Sequence, residues 1–312
     1  MQERGQRFEG QGFKGARDKP KNCWTEIIPG AIILSWRLRK IRNTDPGRNP
    51  LEQNLILTSQ TGHLAFVVFN RPEKRNSLNF RMLEILPGIL RELGKNTDLR
   101  VIVFRGSGDS AFCAGGDITE FKHHAESREN AEKWHEILVG AIESVYRLEV
   151  PTIAMVHGPA AGAGCEIAMA CDIRLVAPDG RFGITGSRLG FPIPFRNAVR
   201  LVSLVGPAHA KKMLYTGEFI PAEEACRIGL AAAMVNKEDL EKRTLELAGE
   251  IAANAPLAQR AIKRTIERVV QDPSLCSVED PSRWFVEAFL SRDLQEGVNA
   301  FLEKRKPAFR GE

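Results

Sequence analysis

The stretch Val150–Asp172, VPTIAMVHGPAAGAGCEIAMACD, decides how this chain is read. Thr152–His157 is an apolar run of strand length, the residues after Gly162 form an apolar run of helix length, and small residues join the two. A turn of this kind lets a ligand come close to the backbone. A helix starting near Gly162 leaves its first amides without intrahelical partners and with the positive end of the dipole behind them. Ala163 supplies one such donor. Glu166 follows three residues later and emerges on roughly the same helix face. Its neighbours Ile167, Ala168, Met169 and Ala170 point to a buried or pocket-facing carboxylate, and carboxylates are seldom buried without purpose. Packing at a tight junction would explain this turn if it stood alone.

It does not stand alone. Ser110–Phe121, SAFCAGGDITEF, repeats the order of strand, small-residue loop and helix after the strand Val101–Gly106, and Gly116 offers a second exposed amide. Two such loops, each following a strand of one sheet, can set two N–H donors around a single oxygen and so stabilise an oxyanion or enolate. One donor of this kind is typically worth about 2.7–4 kcal/mol in the transition state.

Further out, the texture changes at His63. His63–Asn70 reads as a strand, Asn79–Lys95 as a helix interrupted or bent near Pro87 and Gly88, and Arg128–Leu148 as a long amphipathic helix. Ile173–Ala177 and a short piece near Phe182 are extended. Pro194–Leu204, Pro207–Tyr215, Ala222–Ile228 and most of Lys237–Lys304 are expected to be helical. The fold class is therefore α/β, with a core over 54–245 and a helical C-terminal lobe over 246–312. Residues 1–50, rich in Arg, Lys, Gly, Gln and Pro, are expected to form a disordered basic extension. A transit peptide fits them poorly, because Glu3, Glu9, Asp18 and Glu26 are acidic.

Composition removes several classes. The net charge of +5 is concentrated in the first fifty residues, so the body shows no nucleic-acid footprint. The best apolar span, Ile27–Trp36, is broken by Pro29 and Gly30 and is too short for a membrane. Six cysteines without CxxC spacing suit reduced thiols and a cytoplasmic setting. No histidine spacing suggests a metal site, and no serine stands in a GxSxG elbow. A dinucleotide fingerprint fails at Ile167, where a third glycine would be needed. Asp172 reads as a structural hydrogen-bonding residue and Asp117 as a helix cap.

Four segments, NRPEKRNSLN (70–79), AFCAGGD (111–117), HGPAAGAGCEIAMACD (157–172) and TGEFIPAEEACRIGL (216–230), together resemble the crotonase (enoyl-CoA hydratase/isomerase) superfamily. The ending GVNAFLEKRKPAFRG (297–311) is similar to that family's closing helix, so the resemblance spans about residues 54–311. It implies a crotonase-like spiral of ββα units and a homotrimer or hexamer. It also implies an acyl-CoA substrate, with coenzyme A arriving as part of that substrate and no separate cofactor or metal. Gly116 and Ala163 then match the amides that hold the thioester oxygen, and Glu166 matches the family's first catalytic glutamate. Arg75, Ser77, Leu78, Asp117 and Ile118 would line the CoA groove. Ala114, Gly162 and Gly186 belong to the same binding set, and Lys304 would approach the CoA phosphates.

The chain departs from the hydratase pattern at FGITGSRLG (182–190), which puts Gly186 where a second glutamate is expected, with Thr185, Ser187 and Arg188 around it. FPIPFRNAVR (191–200) also lacks the glycine-rich pattern usual in hydratases. Two carboxylates divide the proton work of hydration well. One carboxylate leaves hydration through a single water open, and equally double-bond isomerisation, decarboxylation or thioester hydrolysis. A weakly catalytic CoA- or RNA-binding scaffold is a further reading.

Overall fold

The computed structural model describes residues 55–271 and 282–312, so the expected extension over 1–50 lies outside the described residues. Nine strands are described: β1 (Ile56–Thr61), β2 (Leu64–Phe69), β3 (Val101–Gly106), β4 (Thr152–Val156), β5 (Pro159–Ala161), β6 (Ile173–Val176), β7 (Arg181–Gly183), β8 (Ile220–Pro221) and β9 (Ala233–Met234). Six form one sheet in the order β1-β2-β3-β4-β6-β9, antiparallel only between β1 and β2. The other three form a small sheet, β5-β7-β8.

This division produces the spiral. From β4 in the large sheet the chain enters β5 in the small one and then helix α4 (Ala163–Ala170). From β6 it enters β7 and then the short helix α5 (Gly186–Leu189). The ββα repeat matches the expected fold.

The large sheet is buried on both faces, which is why its parallel strands read as unbroken apolar runs. Val101 and Val103 turn to one side with Met155 and Leu175, where α8 (Leu240–Ala252) covers them through Leu240, Leu245 and Ala248. Ile102 and Phe104 turn to the other side, toward α1 (Phe80–Gly94) and α3 (Arg128–Tyr146). Helix α8 runs across the 245/246 boundary set from sequence, and α9 (Pro256–Gln271), α10 (Ser282–Phe289) and α11 (Arg292–Leu302) follow it.

Two local readings change. A strand not read from the sequence, β1, precedes His63 and forms a hairpin with β2; an edge strand with one partner carries the polar residues of ILTSQT without penalty. Helix α1 continues through Pro87, held by one buried face of Met82, Leu83, Leu86 and Leu90 and by an Asn79 cap that accepts from the Met82 amide at 2.9 Å. The two helices expected at 194–204 and 207–215 are present: the helical segment α6 (Phe195–Thr216) is broken at Gly206, whose backbone is non-helical with φ 74°.

Among the described cysteines, Cys113, Cys165 and Cys171 are buried free thiols and Cys226 is partly buried. Burial pushes the Cys113 and Cys171 thiols up to about 12, so they stay protonated.

Candidate active site

The two loops singled out from sequence meet. The Cys113 amide donates to Pro159 O at 3.1 Å and the Cys113 carbonyl accepts from Ala161 N at 2.9 Å, so the first loop is held to β5 by an isolated parallel bridge. One residue before each expected donor, the backbones touch. A methyl group on Gly115 would lie 2.9 Å from Ala161 O and 3.7 Å from Gly162 Cα. Both positions have positive φ, 100° and 46°, so glycine serves the close approach and the turn at once. Leu78 fixes the other side of the first loop: its amide donates to Gly115 O and its carbonyl accepts from Asp117 N, which leaves the Gly116 N–H out of the bridge. Ala163 is the first residue of α4, where no intrahelical acceptor exists for its N–H, and Gly162 supplies no side-chain cap.

Glu166 lies on that same first turn and is 5% exposed. Its Oε2 accepts from Asn197 Nδ2 at 2.7 Å, and Asn197 Oδ1 accepts from Arg200 Nη1 at 2.7 Å. Arg200 in turn pairs with Glu143 of α3 and sits 4.1 Å over the Tyr146 ring. Arg147 and Arg196 also reach Glu143, each at 3.3 Å. Burial pushes the Glu166 carboxyl up to about 7, and the Asn197 hydrogen bond and the Arg200 charge draw it back. A carboxyl poised there can both take and return a proton near neutral pH.

The expected groove residues cluster along one rim. Arg71 Nη1 donates to Ser77 O at 2.9 Å and Arg71 Nη2 pairs with Asp117 at 2.9 Å. Arg75 adopts a left-handed conformation with φ 51°, and its carbonyl accepts from Ala114 N at 3.0 Å. Asp117 also accepts from Thr119 N and Oγ1, which caps α2 (Ile118–His124) as its sequence position suggested. Ile118 is left 61% exposed beside this rim. Lys304 is exposed with φ 55°, just after α11.

Residues 59–312 match the family model described as Enoyl-CoA hydratase/isomerase. The chain belongs to this family. It is similar to a short-chain-enoyl-CoA hydratase of Clostridium acetobutylicum, 34% identical over 82% of this chain and 97% of that protein. It is also similar to a crotonyl-CoA hydratase of Syntrophomonas wolfei, 36% identical over 82% of this chain and 98% of that protein. Among solved structures, an enoyl-CoA hydratase of Bacillus anthracis superposes with a TM-score of 0.76 at 33% identity, covering 83% of this chain and all of that one.

Gly186, where the sequence resemblance implied a second glutamate, is tightly packed in a way the sequence does not display. A methyl group there would lie 2.6 Å from Phe191 O and 3.1 Å from the Phe191 ring, so backbone fills the space of a side chain. Phe191 also packs edge-on against Phe121, at 5.5 Å between ring centres, and Phe121 in turn meets Trp134 at 5.2 Å. An aromatic wall thus links the Gly116 loop to Gly186. Ser187 and Arg188 are exposed, and Arg188 is occupied with Thr216 O at 3.0 Å. Asp172 accepts from Thr152 and from Lys263 at 2.9 Å, the structural role expected of it.

Sequence reading missed Asn197, Arg200 and Glu143. The available signal was polar residues at 197 and 200, one helical turn apart, where the segment lacks the usual glycines.

Proposed function

We propose that this chain is an enoyl-CoA hydratase-like lyase that adds water across the double bond of a 2-enoyl-CoA in fatty-acid or related acyl-CoA metabolism. Glu166 takes a proton from water as the water oxygen bonds to Cβ. The electron pair of the double bond moves to the thioester oxygen, where the Gly116 and Ala163 amides hold the enolate. Glu166 then returns its proton to Cα, so water is added and no external acid is consumed. Coenzyme A enters as part of the substrate, with Arg75, Ser77, Leu78, Ala114, Asp117 and Ile118 along its groove and Lys304 toward its phosphates. The names of the relatives support a short enoyl chain. The observation that carries the reading is a buried Glu166 on the uncapped first turn of α4, where the Gly115 and Gly162 backbones meet.

We also propose a homotrimer or hexamer in the cytoplasm, with residues 246–312 as the associating lobe. Support comes from apolar side chains exposed on that lobe, among them Ile262, Ile266, Phe285, Phe289 and Phe301. Phe301 also lines an apolar pocket of about 330 Å³, together with Ala255, Leu294 and Phe309. No described helix is long and apolar enough to cross a membrane.

Offering 2-enoyl and 3-enoyl CoA esters and identifying products by mass spectrometry tests the reaction. The expected product is the 2-enoyl ester plus one water, and Glu166→Gln should lower kcat by about 10²–10⁴-fold. The sealed Gly186 position favours a second reading, single-carboxylate isomerisation, decarboxylation or thioester hydrolysis. A migrated double bond, released carbon dioxide or free coenzyme A without hydration would establish that reading instead.

A further inference from the structure

We propose that Asn197 is a positioning residue for this reaction: its buried amide, itself fixed by Arg200, holds one oxygen of Glu166 and leaves the other as the single atom that takes and returns the proton. The inference rests on Glu166 being the acid/base.

Asn197 is 1% exposed, and its orientation is set by what it touches. Arg200 can only donate, so the atom facing it at 2.7 Å must be the amide oxygen, and the amide nitrogen must face Glu166 Oε2. Arg200 cannot swing away, because Glu143 pairs with it and the Tyr146 ring lies against it. Glu143 is anchored in turn by Arg147 and Arg196. The result is a line of carboxylate, guanidinium, amide and carboxylate running from α3 through α6 to α4.

The charged and titratable groups around Glu166 are Arg200 from α6, Glu143 from α3 behind Arg200, and Cys165 on its own helix; Arg174 from β6 acts on Cys165 and bonds Ala168 O and Cys171 O. None of them donates to Oε1, and no described residue does. A hydrogen bond from a neutral amide favours the carboxylate over the acid without competing for the proton. A second carboxylate at that place would compete for it. In a chain whose Gly186 leaves no room for another acid, a fixed Oε2 keeps both proton transfers on Oε1.

The test titrates Glu166 directly by infrared difference spectroscopy on the full-length protein, following the carboxylic-acid band that Glu166→Gln removes. Asn197→Ala should move the midpoint up by about one pH unit. The acid limb of kcat/KM with crotonyl-CoA should move with it, with kcat reduced and KM unchanged. The isosteric Asn197→Asp should move the midpoint further up, because two carboxylates then face each other. Unchanged midpoints in both variants, with native circular dichroism, overturn the proposal. Full turnover in Glu166→Gln overturns the acid/base reading instead, and the infrared midpoint still decides whether Asn197 holds Glu166.

Discussion

Where α2 begins, Asp117 accepts from the Thr119 backbone and hydroxyl and pairs with Arg71. Where α4 begins, Gly162 brings no side chain, and all eight helix residues are buried. The first junction follows β3 of the large sheet and the second follows β5 of the small one, and the two touch each other, yet one closes its own helix end and the other does not. A buried, uncapped N-terminus carries a cost that a folded chain rarely keeps without return. The return here is an amide and a carboxylate presented together on one turn. The first junction can be capped because its donor, Gly116, lies one residue upstream of the cap.

The sharpest way to break this contrast is Ala163→Pro. Proline suits the first helical position, so the fold should persist while one N–H disappears. The expected loss in kcat is about 10²–10³-fold with a thermal midpoint close to wild type. A variant that keeps full turnover would show that the uncapped end serves packing alone.

A smaller effect separates the junctions by pH. The Glu166 carboxyl is raised to about 7 from its ordinary 4.5, so the folded state binds the extra proton and the gain in stability is complete below about 4.5. That gain is lost as pH rises through about 7, on the order of 3 kcal/mol. Glu166→Gln should therefore flatten the fall of the thermal midpoint between pH 5 and 8. Burial alone would raise Asp117, but hydrogen bonds from Thr119 and Arg71 outweigh it and hold that carboxyl below its usual range. Its contribution has the opposite sign: present above the ordinary carboxylate pKa and lost as pH falls. Equal pH profiles for Glu166→Gln and Asp117→Ala would erase the distinction.

The mildest expectation concerns the capped end. Asp117→Ala should cost about 1 kcal/mol and lower the thermal midpoint by about 2–4 °C. A loss of 10 °C or more in a melting curve would mean that the Arg71 pair carries far more than a cap.

What was legible in the sequence follows from range. The GPAAGAGCE turn and the AGGD loop are local patterns, and they located Ala163, Glu166, Gly116 and the Asp117 cap directly. Asp172 was read correctly because it closes a helix next to a strand. Asn197 and Glu166 are 31 positions apart, and Arg200 and Glu143 are 57 apart, so only folding brings them into line. At Pro87 the sequence left interruption or bend open, and interruption is the part overridden: proline's local preference opposes a helix, and the burial that carries the helix through it comes from distant strands. The polar edge strand β1 lacked the apolar alternation that made β2 and β3 visible.

The carbonyl and ring of Phe191 over Gly186 constrain how this lineage could change. Acquiring an acid at residue 186 by one codon change meets a closed door, since the new side chain would displace main chain rather than a movable neighbour. The backbone at Phe191 would have to retreat first, which orders any mutational path that places a side chain at residue 186.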